Sequence, residues 1–505
     1  MHRLAFDTDR YLAAQNQAIV KRLEIFSGKL YLEFGGKLLF DYHAARVLPG
    51  YHPDAKLRIL RSLKRRLQIL FCVAAPDIQR GRVRGDFGLT YDNATLKSLE
   101  DLLAHQFEVF AVVITRYQGE ERASRLAAYL ESRDIRVYLQ PELDGYPEDV
   151  DRIVSDDGYG RHQPIPTTAP LVIVTGAGPG SGKMATCLAQ VYHHRRNQVE
   201  AGFAKFETFP VWGLAADHPV NLAYEAATAD IGDRVMIDPF HLQAYGISAA
   251  TYNRDVENFR IMQRIMGRLW REGPYRSPTD MGVNEVERGI IDDEAASEAG
   301  RQELIRRYFR YRWEVLRRLE RPSTVERVQE LLDGTGTSVH QRVVVEPARR
   351  AADEAAPSGK GHKGVYCGAA IELPDGTIVT GKNSPLLHAE AAMALNAIKQ
   401  LARLPDAIHL LSPSVIGSIN HLKSDVLQGR SESLDLSETL IALAISAATN
   451  PAAELGLGQL PRLKNCEMHT THAPSHGDED ALRKLGINVT TDARPVLHRF
   501  LVRPV

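Results

Sequence analysis

The sequence predicts an α/β protein in which a parallel, doubly wound sheet carries a glycine-rich phosphate loop, followed by a smaller C-terminal α/β domain. Three apolar runs, Leu67–Ala75, Val109–Thr115 and Leu171–Thr175, are typical of strands buried on both faces. Amphipathic segments such as Glu120–Ser132 lie between such runs, which favours strand–helix–strand units. The third run leads directly into glycines and then into a helical pattern.

The elements of the first 335 residues follow from the same patterns. Asp9–Phe26 is predicted as an amphipathic helix and Lys29–Phe34 as a short strand. After the third strand, Met184–Asn197 is predicted as a helix, and residues 292–320 as one long, arginine-rich helix. Ion pairs on a solvated face explain its arginines better than nucleic-acid binding, since there is little lysine and no net positive charge.

A second domain is predicted after the glycine-rich stretch 333–337. We therefore expect an N-terminal domain over residues 1–335, in which a further division into 1–165 and 166–335 stays open, and a C-terminal domain over 338–505. The remaining predicted elements are a hairpin of Gly364–Leu373 and Thr377–Thr380, helices Leu387–Ala402 and Leu436–Ala448, and strands Ala407–Leu411, Leu463–Thr470 and Ile487–Thr490.

Net charge, cysteine content and the length of apolar runs exclude several classes of protein. The chain has 505 residues, a formal net charge of -1 and four cysteines. Because positive and negative charges nearly balance, the chain has no overall positive potential that would attract nucleic acid or anionic lipid. Four cysteines are too few for a disulfide framework, which indicates a reducing compartment. No signal-like or membrane-spanning apolar run is present in the sequence. We expect a cytoplasmic homo-oligomer that binds neither nucleic acid nor membrane.

The glycine loop is the main functional candidate. A glycine-rich backbone directs several N–H groups inward, and the helix that follows presents its positive end to the same point. This chemistry suits a phosphate-bearing small molecule such as ATP, with any role for Mg²⁺ left open. The predicted binding residues are Gly178, Gly180, Ser181, Gly182, Lys183 and Thr186.

The loop departs from the usual nucleotide-binding pattern G-x-x-x-x-G-K-[ST] in two places. Ala177 stands at the first glycine, and Met184 stands where a Mg²⁺-binding Ser or Thr belongs. A glycine turn that only tightens strand–helix packing is therefore the competing interpretation. A Mg-ATP hydrolase geometry is less favoured than a phosphate cradle, because the metal-binding hydroxyl is displaced to Thr186.

Several longer stretches resemble the bacterial family called domain of unknown function 1846, and the resemblance extends over nearly the whole chain. Some members of that family have been labelled ATP-dependent or zinc-protease-like, but this sequence has no H-E-x-x-H motif. The resemblance implies that Met184 belongs to the family's own version of the loop. The matching stretches are Lys29–Lys37, Asp41–Gly50, Gly178–Leu188, Ala204–Pro210, Asn221–Asp230 and Ser277–Asn284.

Polar residues outside the loop supply candidates for chemistry. Glu207 follows a predicted strand, Glu225 lies on a predicted helix and Asp238 ends a short apolar run. Together with Lys183 they are the predicted catalytic residues, with the carboxylates as acid–base or metal-side groups. Asn221, Glu225 and Thr228 are spaced to share one helix face, which suits a cleft lining or the wet side of a surface helix.

A zinc-dependent hydrolase or deaminase is a second alternative, beside a non-enzymatic oligomeric or regulatory protein with a structural glycine loop. His388 and Glu390 form an H-x-E at a predicted helix start, as in zinc deaminases. The partner motif P-C-x-x-C is missing, and Cys466 with His469 is the nearest substitute. A plain helix start explains the pair better, so the sequence predicts no metal ligands.

Overall fold

A computed structural model describes residues 3–35, 38, 41–81, 83–84, 89–428 and 433–494. The chain divides into two compact units. The N-terminal unit comprises Leu4–Thr228 and Gly232–Gly300, and the C-terminal unit comprises Met1–Arg3, Ala229–Ile231 and Arg301–Val505.

The N-terminal unit is built on a seven-stranded sheet in which every described pairing is parallel. The strands of this unit are β1 Leu30–Phe34, β2 Leu67–Ala74, β3 Val83–Arg84, β4 Leu89–Thr90, β5 Val109–Tyr117, β6 Val137–Pro141, β7 Leu171–Gly176, β8 Gly202–Phe206, β9 Val235–Ile237, β10 Ala250–Tyr252 and β11 Gly282–Val283. The strand order of the seven-stranded sheet is β11-β8-β1-β7-β2-β5-β6.

Helices connect these strands, as the long crossovers of a parallel sheet require. Strands β2 and β7 are almost wholly buried, which explains their continuous apolar sequences. The helices of this unit are α1 Thr8–Ile25, α2 Tyr42–Val47, α3 Ala55–Leu63, α4 Ala75–Gln79, α5 Tyr91–Ala104, α6 Glu121–Glu131, α7 Val150–Ile153, α8 Lys183–Arg196, α9 Pro219–Ala227, α10 Pro239–Tyr245, α11 Asn253–Leu269 and α12 Pro278–Met281. The next helix, α13 Asp293–Leu316, begins in this unit and continues past Gly300 into the C-terminal unit.

The C-terminal unit contains a smaller, mixed sheet of the strands β12 Gly368–Glu372, β13 Ile378–Lys382, β14 Glu467–His472 and β15 Asn488–Arg494. The strand order is β13-β12-β14-β15, and β14 and β15 form its one parallel pair among the described residues. The helices are α14 Pro322–Gly334, α15 Val345–Asp353, α16 Ala389–Ala402, α17 Pro413–His421, α18 Leu436–Ala447, α19 Pro451–Leu457 and α20 His476–Leu485.

Helices pack against both faces of the C-terminal sheet at two glycines. A Cβ on Gly368 would lie 2.2 Å from the carbonyl oxygen of Ala348 in α15. A Cβ on Gly381 would lie 2.2 Å from the backbone nitrogen of Met393 in α16. Because Gly381 pairs with Ala369, next to Gly368, the two glycines face opposite sides of the sheet. Both helix contacts therefore depend on the absence of a side chain.

The predicted α/β class and the parallel central sheet are confirmed, and one predicted strand is wrong. Residues 407–411 form irregular structure, although Leu410 and Leu411 are buried in the C-terminal core. The apolar run therefore signalled burial and not strand pairing, since Pro413 begins α17 two residues later.

Candidate functional site

The glycine loop lies where the strand order of the N-terminal sheet reverses. After β2 the chain continues to β5 and β6 on one side, whereas after β7 it continues to β8 and β11 on the other. Because β2 and β7 are neighbours, the connections that leave their carboxyl ends diverge. Crevices at such points are the usual ligand sites of open parallel sheets.

Contacts with neighbouring strand ends fix the shape of the loop. The N–H of Ala177 donates to the carbonyl of Cys72, at 3.0 Å. The Thr115 hydroxyl, at the end of β5, donates to the carbonyl of Ser181, also at 3.0 Å. Gly182 has a φ of 80°, and a Cβ there would lie 2.7 Å from Oγ1 of Thr115. Gly182 is therefore required by both backbone conformation and space.

Lys183 closes the loop on itself. Its ammonium nitrogen lies 3.2 Å from the carbonyl oxygen of Gly178 and 3.4 Å from Oγ of Ser181. Lys183 is also the first residue of α8, and among the described residues no side chain caps this helix. The first-turn N–H groups of such a helix have no intrahelical acceptor. The loop thus combines a cation with backbone donors at one point.

The residues after the lysine face the interior. Thr186 is fully buried, and its hydroxyl lies 3.6 Å from Sγ of Cys72. Met184 packs against the hydrophobic core. The predicted binding residue Thr186 therefore contacts strand β2 through Cys72.

A group of charged side chains follows the neighbouring strands. Glu33 on β1 is paired in register with Val174 on β7 and with Lys205 on β8. The Lys205 ammonium lies 2.7 Å from a carboxylate oxygen of Asp255, at the start of α11. Glu33 thus lies on the strand that pairs directly with β7, near the carboxyl edge of the sheet. Sequence reasoning missed Glu33 and Asp255.

Glu207 is the predicted catalytic residue that joins this group. Burial, and next the charge of Asp255, raise the pKa of Glu207 to about 8, although Lys205 opposes the shift. A carboxyl group with a pKa near neutrality can take up and release a proton at cellular pH. Perturbed groups of this kind concentrate at functional sites.

Replacing Glu207 with glutamine is expected to change the pH dependence of stability. Because its pKa is higher in the folded chain, Glu207 favours folding below about pH 4.5 and loses this contribution as the pH rises towards 8. The melting temperature of Glu207→Gln relative to wild type should therefore rise by roughly 2–4 °C between pH 5 and pH 8. Differential scanning fluorimetry across this range measures the difference, and a constant gap would contradict the prediction.

The other two predicted catalytic carboxylates, Glu225 and Asp238, accept hydrogen bonds from backbone N–H groups. Glu225 is 1% exposed and accepts a hydrogen bond from the N–H of Val235, at 2.8 Å. Asp238 is fully buried and accepts from the N–H groups of Phe240 and His241 at the start of α10. Its second oxygen accepts from Thr279, at 2.7 Å. These contacts account for both carboxylates without a ligand.

The polar face predicted on the helix of Glu225 is explained in the same way. The Asn221 side chain is fully buried and bonds both the N–H and the carbonyl of Val211. The Thr228 hydroxyl donates to the carbonyl of Tyr224. Asn221 and Glu225 are buried and bond neighbouring backbone, so this part of the face is not a wet surface, and a role as a cleft lining stays a prediction.

In the C-terminal unit, the H-x-E pair at the start of α16 lies beside Asp478 of α20. Nδ1 of His388 lies 2.7 Å from a carboxylate oxygen of Asp478. His469, which with Cys466 is the nearest sequence substitute for the missing P-C-x-x-C motif, is buried on β14 and hydrogen-bonds Thr490 on β15. Glu390 accepts a hydrogen bond from Thr470, and burial followed by the charge of Asp478 raises its pKa to about 7.

Comparison with known proteins places the chain in a family. Residues 4–336 match the family described as domain of unknown function DUF1846, N-terminal, and residues 340–497 match its C-terminal counterpart. The chain belongs to the DUF1846 family. Together the two matches span both units of the structure, so the loop and the His388 pair are parts of one family architecture.

Curated relatives carry the name UPF0371 protein. One from Clostridium botulinum (strain Langeland) is 47% identical over 492 residues, which cover 97% of each chain. Another, from Clostridium tetani (strain Massachusetts), is 45% identical over 491 residues, again covering 97% of each chain. These names state no activity.

Proposed function

We propose that the N-terminal unit binds a phosphate-bearing small molecule, such as a nucleotide, at residues 178–183. One observation carries the proposal: Lys183 begins an uncapped helix and its ammonium lies within hydrogen-bond distance of Gly178 and Ser181 of the same loop. A terminal phosphate placed there would meet backbone donors and a mobile positive charge together.

The proposal extends to phosphoryl transfer through the neighbouring charged group. Lys183 would neutralise charge that develops on the transferred group. Glu207, with its pKa of about 8, is the acid–base candidate of this site. The contacts of Glu225 and Asp238 with backbone leave Glu207 as the strongest of the predicted carboxylates.

Thermal unfolding of the full-length chain tests binding. Inorganic phosphate, ATP and a sugar phosphate, each at millimolar concentration, should raise the melting temperature of wild type, because a ligand of the native state stabilises it. Lys183→Ala should abolish at least three quarters of the largest shift. Lys360→Ala is a matched control, since Lys360 is an exposed lysine of the C-terminal unit.

Two outcomes would favour the alternative of a structural glycine loop in a non-enzymatic protein. The first is the absence of any shift in wild type, and the second is an equal shift in wild type and Lys183→Ala. Homo-oligomerisation and a cytoplasmic location stay predictions from the sequence. Among the described residues, no helix is both long and apolar enough to cross a membrane.

A further inference from the structure

Two helices of the C-terminal unit begin at the same edge of its sheet. Strands β13 and β14 lie on either side of β12, and both are antiparallel to it. They therefore run in the same direction and end at the same edge. The chain continues from β13 into α16 and from β14 into α20, so the starts of these two helices converge.

This convergence brings three metal-ligating side chains together from distant parts of the sequence. Ligand atoms of His388, Glu390 and Asp478 all lie within 4.8 Å of one another. Glu390 is 5% exposed and Asp478 is 1% exposed, whereas His388 is partly exposed. The cluster thus combines two buried carboxylates with the partly exposed imidazole of His388.

The sequence around Asp478 matches the spacing of a known metal-binding motif. Zinc deaminases combine H-x-E at one helix start with P-C-x-x-C at another. Here α20 is preceded by Pro474 and Ser475, and Asp478 follows three residues after the serine. Ser475 and Asp478 therefore occupy the two cysteine positions of that spacing. In zinc deaminases the glutamate of H-x-E is not a zinc ligand, so a site that uses Glu390 and Asp478 differs from theirs in its ligand set.

We propose that His388, Glu390 and Asp478 bind one divalent transition-metal ion, through Nδ1 of the histidine and one oxygen of each carboxylate. An imidazole beside carboxylates suits Zn²⁺ and related ions better than Mg²⁺, which prefers oxygen ligands and keeps its waters. Three protein ligands leave a position for water, as in catalytic zinc sites.

Neighbouring groups hold the two carboxylates in orientation. The second oxygen of Asp478 accepts from the N–H of Leu436, at 2.7 Å. One oxygen of Glu390 accepts from the Thr470 hydroxyl, at 2.6 Å. Supporting hydrogen bonds of this kind orient ligands and contribute to metal affinity. Each carboxylate is therefore oriented by a partner outside the cluster.

Metal binding would replace the proton between His388 and Asp478. Their 2.7 Å separation is a hydrogen-bond length. Two ligands at about 2.0–2.1 Å from a tetrahedral ion lie roughly 3.3 Å apart, so the side chains must separate by about half an ångström. Since the ion displaces a proton, its affinity should fall as the pH is lowered.

Zinc titration of the full-length chain tests the proposal. Protein freed of metal by a chelator is titrated with Zn²⁺ alone, in competition with a chromophoric chelator. Wild type should bind one Zn²⁺ per chain at this site. His388→Ala should weaken that affinity at least 100-fold and Glu390→Gln at least 10-fold. The glutamine keeps an oxygen for Thr470, so this variant should fold even if the other does not.

A second histidine–aspartate pair supplies the control. Nδ1 of His421 lies 2.6 Å from Asp425, but the two side chains are 69% and 63% exposed. His421→Ala should leave zinc affinity within twofold of wild type, as should Lys183→Ala in the other unit. The proposal is overturned if wild type binds no Zn²⁺, if His388→Ala and Glu390→Gln bind it as wild type does, or if His421→Ala loses as much affinity as His388→Ala.

Discussion

Replacing Glu467 with glutamine is expected to lower the free energy of unfolding of the C-terminal unit by about 3–5 kcal/mol, the usual cost of breaking a buried ion pair. Glu467 lies between two arginines, with oxygens 2.8 Å from Arg306 and 2.7 Å from Arg342. Arg342 is 1% exposed, so it cannot exchange the lost carboxylate for water. Chemical denaturation of wild type and Glu467→Gln measures the difference.

The same carboxylate should make the unit sensitive to acid. Burial alone would raise the pKa of Glu467, but Arg306 and Arg342 lower it to about 2. Because the pKa is lower in the folded chain, the stabilisation is complete above about pH 4.5 and is lost as the pH falls towards 2. Glu467→Gln should lack this part of the acid dependence.

Glu330→Gln is the matched control for Glu467→Gln. Glu330 pairs with Arg327, but its side chain is 65% exposed. The loss of such a surface pair costs at most about 1 kcal/mol. An equal loss of stability in the two variants would show that burial does not decide the strength of the Glu467 contacts.

Gly381→Ala is the second change with a large expected effect. The new Cβ would lie 2.2 Å from the backbone nitrogen of Met393 and 2.5 Å from the carbonyl oxygen of Ala389. Both contacts are with the backbone of α16, so the whole helix must move away from the sheet. Overpacking of this kind should cost about 3 kcal/mol, and thermal unfolding measures it. Since α16 carries Glu390, zinc affinity should fall as well.

Gly417→Ala should have the opposite sign. Gly417 lies inside α17 of the same unit, and, apart from its chain neighbours and the nearby backbone of its own helix, no described atom lies within 4 Å of a Cβ built there. Alanine in an exposed helix interior is favoured over glycine by about 0.5–1 kcal/mol. If Gly417→Ala destabilised the chain as much as Gly381→Ala, close packing of α16 would not explain the effect.

The strands of the central sheet could be predicted because a strand that is buried on both faces has a continuous run of apolar residues. The residues from Leu171 to Val174 are apolar without alternation, and the structure buries all of them. A similar apolar run led to the wrong strand prediction at Leu410 and Leu411, which are buried without belonging to a strand. Apolar residues report burial, and only pairing partners elsewhere in the chain decide the backbone shape.

Site residues were predictable only where one segment contains the whole pattern. The loop 178–183 is contiguous, so its spacing was visible. The contact between Lys205 and Asp255 joins residues 50 positions apart, and that between His388 and Asp478 joins residues 90 positions apart. Asp478 meets His388 because β13 and β14 run in the same direction, which the sequence pattern around either residue does not state.

If the glycine loop binds an anion as proposed, the contacts of Lys183 affect its selectivity. The Lys183 ammonium already has two oxygen neighbours, from Gly178 and Ser181. An ammonium has three N–H donors, so an anion bound there under the proposed function would use the third donor or replace one of these two oxygens. Chloride, which offers a single atom, should be a poor competitor, whereas an anion with three or four oxygens can serve the ammonium and the helix N–H groups together.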